Sequence, residues 1–268
     1  MTRTLGAEWT KLRSVASTFW LVMAAVGATI ALGLLICSAV DTSGAPPGCV
    51  PGRPGCGDED VVLNSLGGAY LGQVAFVTLG VLVATSEYAK GAIRTTFAAM
   101  PWRSGVLLSQ AVVLAGSVLF AGIVASAASF QLGQSILHGN GFVPAQGYPV
   151  VSIADPAATR AIVGTAVYLS EVAVLGFAFG QITRRAGSAI ALVLSVLYAP
   201  AIVSLMLADS IRGTLQSLTP MMAGLAVQRT VERADSVPIG QLAGLGVAAA
   251  WAAAAMLAAV WLVRRRDT

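Results

Sequence analysis

Two places in this 268-residue chain hold residue types able to do chemistry: a mixed polar segment at 86–103, and a lone carboxylate, Glu171, inside an apolar run. The segment combines Glu87, Tyr88, Lys90, Gly91, Ile93, Arg94 and Phe97 with few loop-forming residues before Pro101. Glu87 and Lys90 are three apart and Ile93 and Phe97 four apart, so a short helix here gains an ion pair and an apolar face. Two uses fit such a helix. It anchors two neighbouring spans at the membrane surface, or it docks an apolar tip into a groove on another subunit. Glu171 falls near the middle of its run, where an ionised carboxylate costs about 3 kcal/mol on insertion scales. A functional role makes it the partner of a cationic substrate or of a proton. A structural role makes it a protonated or hydrogen-bonded tie between helices, with Gln73, Gln131 or a serine as its partner.

Other chemistries lack their residues. No Gly-x-x-x-x-Gly-Lys-Ser/Thr phosphate loop occurs, and neither Lys11 nor Lys90, the two lysines, sits in one. His138 is the one histidine and has no second His or Cys at metal-ligand spacing. Paired acids or a serine beside a base, the usual means of intramembrane hydrolysis, are not visible. The chain is therefore read as a non-enzyme that holds no cofactor or metal itself. Any ATP-driven work must come from a partner.

What positions these residues is a set of six apolar runs at 18–40, 63–85, 106–137, 161–182, 189–207 and 241–263. Each has about the 20 residues that a helix needs to cross about 30 Å of hydrocarbon. Composition agrees, with 56% hydrophobic residues, 10% charged and a mean hydropathy of +0.80. The class is an all-α membrane protein, a single domain of six transmembrane helices with no room for a large soluble unit. The net charge of +4 is no nucleic-acid footprint, because the basic residues flank span ends. Eleven of the 16 lysines and arginines fall on the side shared with the N-terminus, which places both termini in the cytoplasm by the positive-inside rule. An excess of Arg over Lys with abundant Ala, Gly and Val points to a bacterial plasma membrane. The first run is too long for a signal-peptide core, and Ile36 before Cys37 fails the lipoprotein pattern.

Around the runs, residues 3–17 read as a surface helix with Leu5, Trp9, Leu12 and Ala16 on one face, lying on the membrane or against another subunit. The loop at 41–62 is rich in Pro and Gly, and on an oxidising outer side Cys49 and Cys56 are expected to pair. The second outer loop, 138–160, reads as irregular. The segment 208–240 is too short and polar to span, so one or two short re-entrant helices are expected before the last run.

The order Glu87-x-x-x-Gly91, Ile93-Arg94-Thr95-Thr96-Phe97 and Pro101-x-Arg103 resembles the inner-loop signature of permease subunits of type II ABC exporters. Six spans, the N-terminal Glu8-Trp9-Thr10-Lys11-Leu12-Arg13 and the partly apolar last outer segment resemble that family too, and the terminal Trp261-Leu262-Val263-Arg264-Arg265-Arg266 resembles its actinobacterial members. The resemblance implies a permease that pairs with a second copy or a paralogue. Each permease would dock on a separate cytosolic ABC ATPase through the 87–97 segment, with ATP and Mg bound by that partner. It further implies outward movement of a substrate, and the wide apolar span surfaces fit a hydrophobic or amphipathic one, a lipid, a peptide or a drug. Gln110 departs from the pattern, since many relatives carry Lys near this position. An ion-coupled carrier and a non-transport membrane scaffold are the rival readings.

Overall fold

A computed structural model describes residues 16–40, 59–89, 103–144, 148–231 and 236–266. The expected surface helix at 3–17 (apart from its last two residues), the loop carrying Cys49 and Cys56, and residues 90–102 lie outside the described residues. The described chain is helical, with no strand among the described residues. Its helices are α1 (Ala16–Ala39), α2 (Val61–Leu66), α3 (Ala69–Ala89), α4 (Arg103–Gly139), α5 (Pro156–Thr183), α6 (Ala186–Ser204), α7 (Asp209–Leu218), α8 (Pro220–Leu225) and α9 (Gln241–Arg266), with a 3-10 turn at Ala226–Gln228. Six spans are long and apolar enough to cross a membrane: α1, α2 with α3, α4, α5, α6 and α9. Their outer surfaces stay apolar. Phe120 is 72% exposed and Leu257 71%, a belt that a water-soluble protein would not tolerate.

Helix α5 is the axis of the bundle. Of its most apolar 18-residue window 67% is buried inside the protein, against 17% for α1 and α6. It packs most extensively on α3, then on α4 and α9. Glycine makes the approach possible. A Cβ added at Gly80 of α3 would lie 2.1 Å from Ala173 O of α5, and one at Gly176 would lie 2.5 Å from Val77 O. Side chains lacking at these points let backbone meet backbone, the usual means of association where lipid removes the hydrophobic drive between helices.

The second span, Val61–Ser86, covers the run expected at 63–85 and is interrupted by a turn at Gly67-Gly68, between α2 and α3. At this turn α1 approaches closely: its Thr29 carbonyl would stand 2.1 Å from a Cβ on Gly68. A break within hydrocarbon frees backbone carbonyls, and these find partners from elsewhere. Ser129 Oγ of α4 donates to Ser65 O at 2.8 Å, and Gln228 Nε2 donates to Leu66 O at 3.3 Å.

Helix ends are closed in the same way. At the end of α4, Gly141 adopts φ 97°, and Phe142 N donates to Leu137 O at 3.0 Å while both side chains are buried together. Asn140 Nδ2 donates to the terminal carbonyls of α1, Cys37 O at 3.0 Å and Val40 O at 2.9 Å. Arg212 on α7 closes α6 by donating to Ser204 O at 3.0 Å and Leu207 O at 3.2 Å. Helix α7 consequently turns Arg212 and Gln216 inward and leaves Ile211 and Leu218 exposed, the reverse of a helix facing water.

Gly80→Ala is expected to destabilise the protein by about 1–3 kcal/mol, since backbone rather than a flexible side chain must move. Gly116→Ala, where nothing stands within 4 Å of the added carbon, should be neutral or stabilising. Thermal unfolding of both variants in one detergent checks the contrast.

Candidate functional site

Three polar constructions stand out in a bundle otherwise filled with apolar side chains. The first joins α3, α5 and α6 at mid-height. Tyr168 hydroxyl donates to Gln73 Oε1, and Gln73 Nε2 donates to Tyr70 O at 2.8 Å and to Tyr198 hydroxyl at 3.1 Å. Tyr198 hydroxyl donates in turn to Tyr70 O. Tyr168 and Gln73 are both fully buried, so each amide and hydroxyl here needs its partner. Gly224 of α8 lies against the Tyr168 ring, where a Cβ would come within 2.3 Å, and the same carbon would stand 3.3 Å from Ala248 of α9.

That shared neighbour sets Tyr168 and Ala248 at one depth on α5 and α9, which cross in the same direction. Counting 16 residues on from each reaches Arg184 and Arg264. The arginines at 184–185 and 264–265 therefore gather on one face of the bundle, with Arg265 stacked 4.2 Å over the Trp261 ring. Residues 59–60, 140–144, 205–231 and 236–240 occupy the other face.

The second construction is on that other face and was missed by reading the sequence. Asp60 is buried and accepts five hydrogen bonds. Its Oδ1 caps α2 by accepting from Val62 N and Leu63 N, both at 3.1 Å, and also accepts from Thr230 Oγ1 at 2.7 Å. Its Oδ2 accepts from Thr230 N at 2.5 Å and Val231 N at 3.0 Å. Next to it, Gln228 Nε2 reaches Thr165 Oγ1 of α5 at 3.1 Å as well as Leu66 O. Arg229 donates to Val237 O at 2.8 Å and Ile239 O at 2.9 Å, and its own carbonyl accepts from Arg160 and Gln241. The segment before the last span is thus fastened across the end of the bundle. An Asp directly before an apolar run is a helix-start signal, so the cap was legible; the link to Thr230 was not.

The third is Glu171. It sits on α5 about 22 Å from the start of the helix and about 18 Å from its end. Its expected ties do not form. Gln73 is committed to Tyr168, Tyr198 and Tyr70, and Ser170 Oγ donates to Ala115 O at 3.0 Å. Gln131 is an exposed residue of α4. Glu171 Oε2 is buried and has no hydrogen-bond partner among the described residues.

Of the docking residues, Glu87 and Tyr88 fall in the last turn of α3, while Lys90, Gly91, Ile93, Arg94 and Phe97 lie outside the described residues, as do Cys49 and Cys56. Cys37 is a buried free thiol whose Sγ donates to Asn64 O at 3.6 Å. Among the described residues no group of His, Cys, Asp and Glu is arranged to hold a metal ion. No family model matches the chain, and no curated protein matches its sequence.

Asp60→Ala should cost about 3 kcal/mol or more, because several buried donors lose a charged acceptor at once. Asp60→Asn should recover little of it, since an amide NH2 placed at Oδ2 would face the N–H groups of Thr230 and Val231. Faster proteolysis within 219–240, together with a lower midpoint of thermal unfolding, is the expected result for both variants. Tyr168→Phe, which strands Gln73 Oε1, should lose about 1–3 kcal/mol in the same unfolding measurement.

Proposed function

We propose that this chain is the membrane permease subunit of an ATP-powered exporter of the ABC type, moving a hydrophobic or amphipathic substrate outward. The single observation that carries the reading is the residue order of the 86–103 segment, Glu87-x-x-x-Gly91, Ile93 to Phe97 and Pro101-x-Arg103. In support, the segment follows α3 and leads into α4 along the chain, and both helices pack on the axial helix α5. A push delivered at 87–97 would pass along α3 and reach α5 at the Gly80 and Gly176 contacts, where there is no side chain to absorb it.

In this reading the chain has no ATPase site. A cytosolic ABC ATPase binds ATP and Mg, and its closure drives the movement through the 87–97 segment. A partner state favouring one permease conformation by a few kcal/mol suffices. The permease works as a dimer with a second copy or a paralogue in a bacterial plasma membrane, both termini in the cytoplasm and the arginine face inward.

An ion-coupled carrier is the second reading, and Glu171 with its unpartnered oxygen is the observation that favours it. A protonophore applied with ATP intact separates the two: it stops a proton-coupled carrier and leaves the exporter running.

Purification of the tagged chain in mild detergent should bring down a stoichiometric protein with a phosphate loop. Glu87→Ala and Phe97→Ala are expected to lose that protein and to abolish transport while inserting normally. Unimpaired association and transport in both variants would remove the docking assignment.

A further inference from the structure

The orphan carboxylate of Glu171 lies on a face of α5 that differs from the rest of that helix. Val163, Val167, Glu171 and Val174 share one side at helical spacing. All four are exposed or half-buried, whereas the other positions between 164 and 181 are buried but for Phe179, including Ala178, the next residue on that side. The central helix of the bundle thus keeps one partly open stripe from Val163 to Val174, apolar except for a single acid at mid-depth.

Every other polar side chain at this depth of α5 is accounted for. Thr165 donates to Ala161 O and accepts from Gln228, Tyr168 donates to Gln73, and Ser170 donates to Ala115 O. Gln181 also has a partner. Among the side chains of α5, Glu171 alone keeps a buried oxygen without one; elsewhere among the described residues Ser126 Oγ of α4 and Gln228 Oε1 do so. The Gln73 amide and the hydroxyls of Tyr168 and Ser170 all donate to other acceptors, so none of them ties the Glu171 carboxylate to another helix.

We propose that Glu171 is the charge-recognising group of a binding stripe for cationic amphiphiles, molecules with one positive centre on an apolar body. The valines would cover the body, and the carboxylate would neutralise the cation at a depth where water cannot. Ligand sites generally have this form, mostly apolar with a few placed polar groups. The charge also carries a selection. An anion of equal size meets repulsion and a neutral body gains no ion pair. The assignment deepens the exporter reading by naming the chemistry of its cargo, but the binding itself requires no ATPase.

The test uses the full chain in phosphatidylcholine nanodiscs, with radiolabelled tetraphenylphosphonium as cation and tetraphenylborate as an anion of matching size. Wild type should bind the cation saturably above empty nanodiscs, and the anion only at the background level. Glu171→Gln should weaken cation binding by about tenfold or more, as expected for loss of a charged partner in an apolar site. Glu171→Asp should retain most of it. Val167→Trp, which narrows the stripe and leaves the carboxylate in place, should weaken it too, and unchanged elution volumes would verify that the variants fold. Cation binding equal to empty nanodiscs, or equal in wild type and Glu171→Gln, would overturn the site. Neither result bears on whether a phosphate-loop protein co-purifies, so the site and the exporter reading fail separately.

Discussion

Backbone contact between α3 and α5 is the constraint on which the other contacts depend. At Gly80 and Gly176 the two helices approach so closely that no Cβ fits between them. Once they are set, α4 can lay Gly122 on Ala166, and the 3-10 turn can seat Val227 on Gly164. Each of these glycines gives up helix propensity and gains close packing that lipid-facing side chains cannot supply. The most buried span is accordingly the one with small residues on several sides, and the spans with exposed apolar surfaces ring it.

The same medium explains where the polar side chains went. Water is not available at membrane depth, so each break or helix end must be closed by a side chain from another helix. Ser129 and Gln228 serve the break at Gly67-Gly68, Asn140 serves α1, Arg212 serves α6, and Trp251 donates to Leu218 O at the end of α7 at 3.0 Å. These residues look unremarkable one by one in the sequence. In the fold they are what allows a bundle with interrupted spans to persist.

The sequence made the six spans legible because length and apolar composition are all that crossing a bilayer demands. It also singled out Glu171, since an acid within an apolar run is visible without any fold. The interruption of the second span was not legible: the run remains apolar through Gly67-Gly68, and only the approach of Thr29 from α1 gives the pair its meaning. The choice of partner for Gln73 was likewise hidden. It depends on the rotation of α5, which turns Tyr168 toward α3 and leaves Glu171 on another side. Asp60 was half legible, as a cap for its own helix but not as an acceptor for residues 170 positions away.

That last separation has a consequence for how the protein is made. A chain emerging from the ribosome delivers Asp60 with the second span, when Thr230 and Val231 have yet to be synthesised. Until they arrive, only the two of the carboxylate's five hydrogen bonds that come from α2 can form. The segment that supplies the others is translated just ahead of the final span. The early spans must therefore wait in the membrane as a partial assembly, and the arrival of residues 228–231 marks the moment at which insertion becomes architecture.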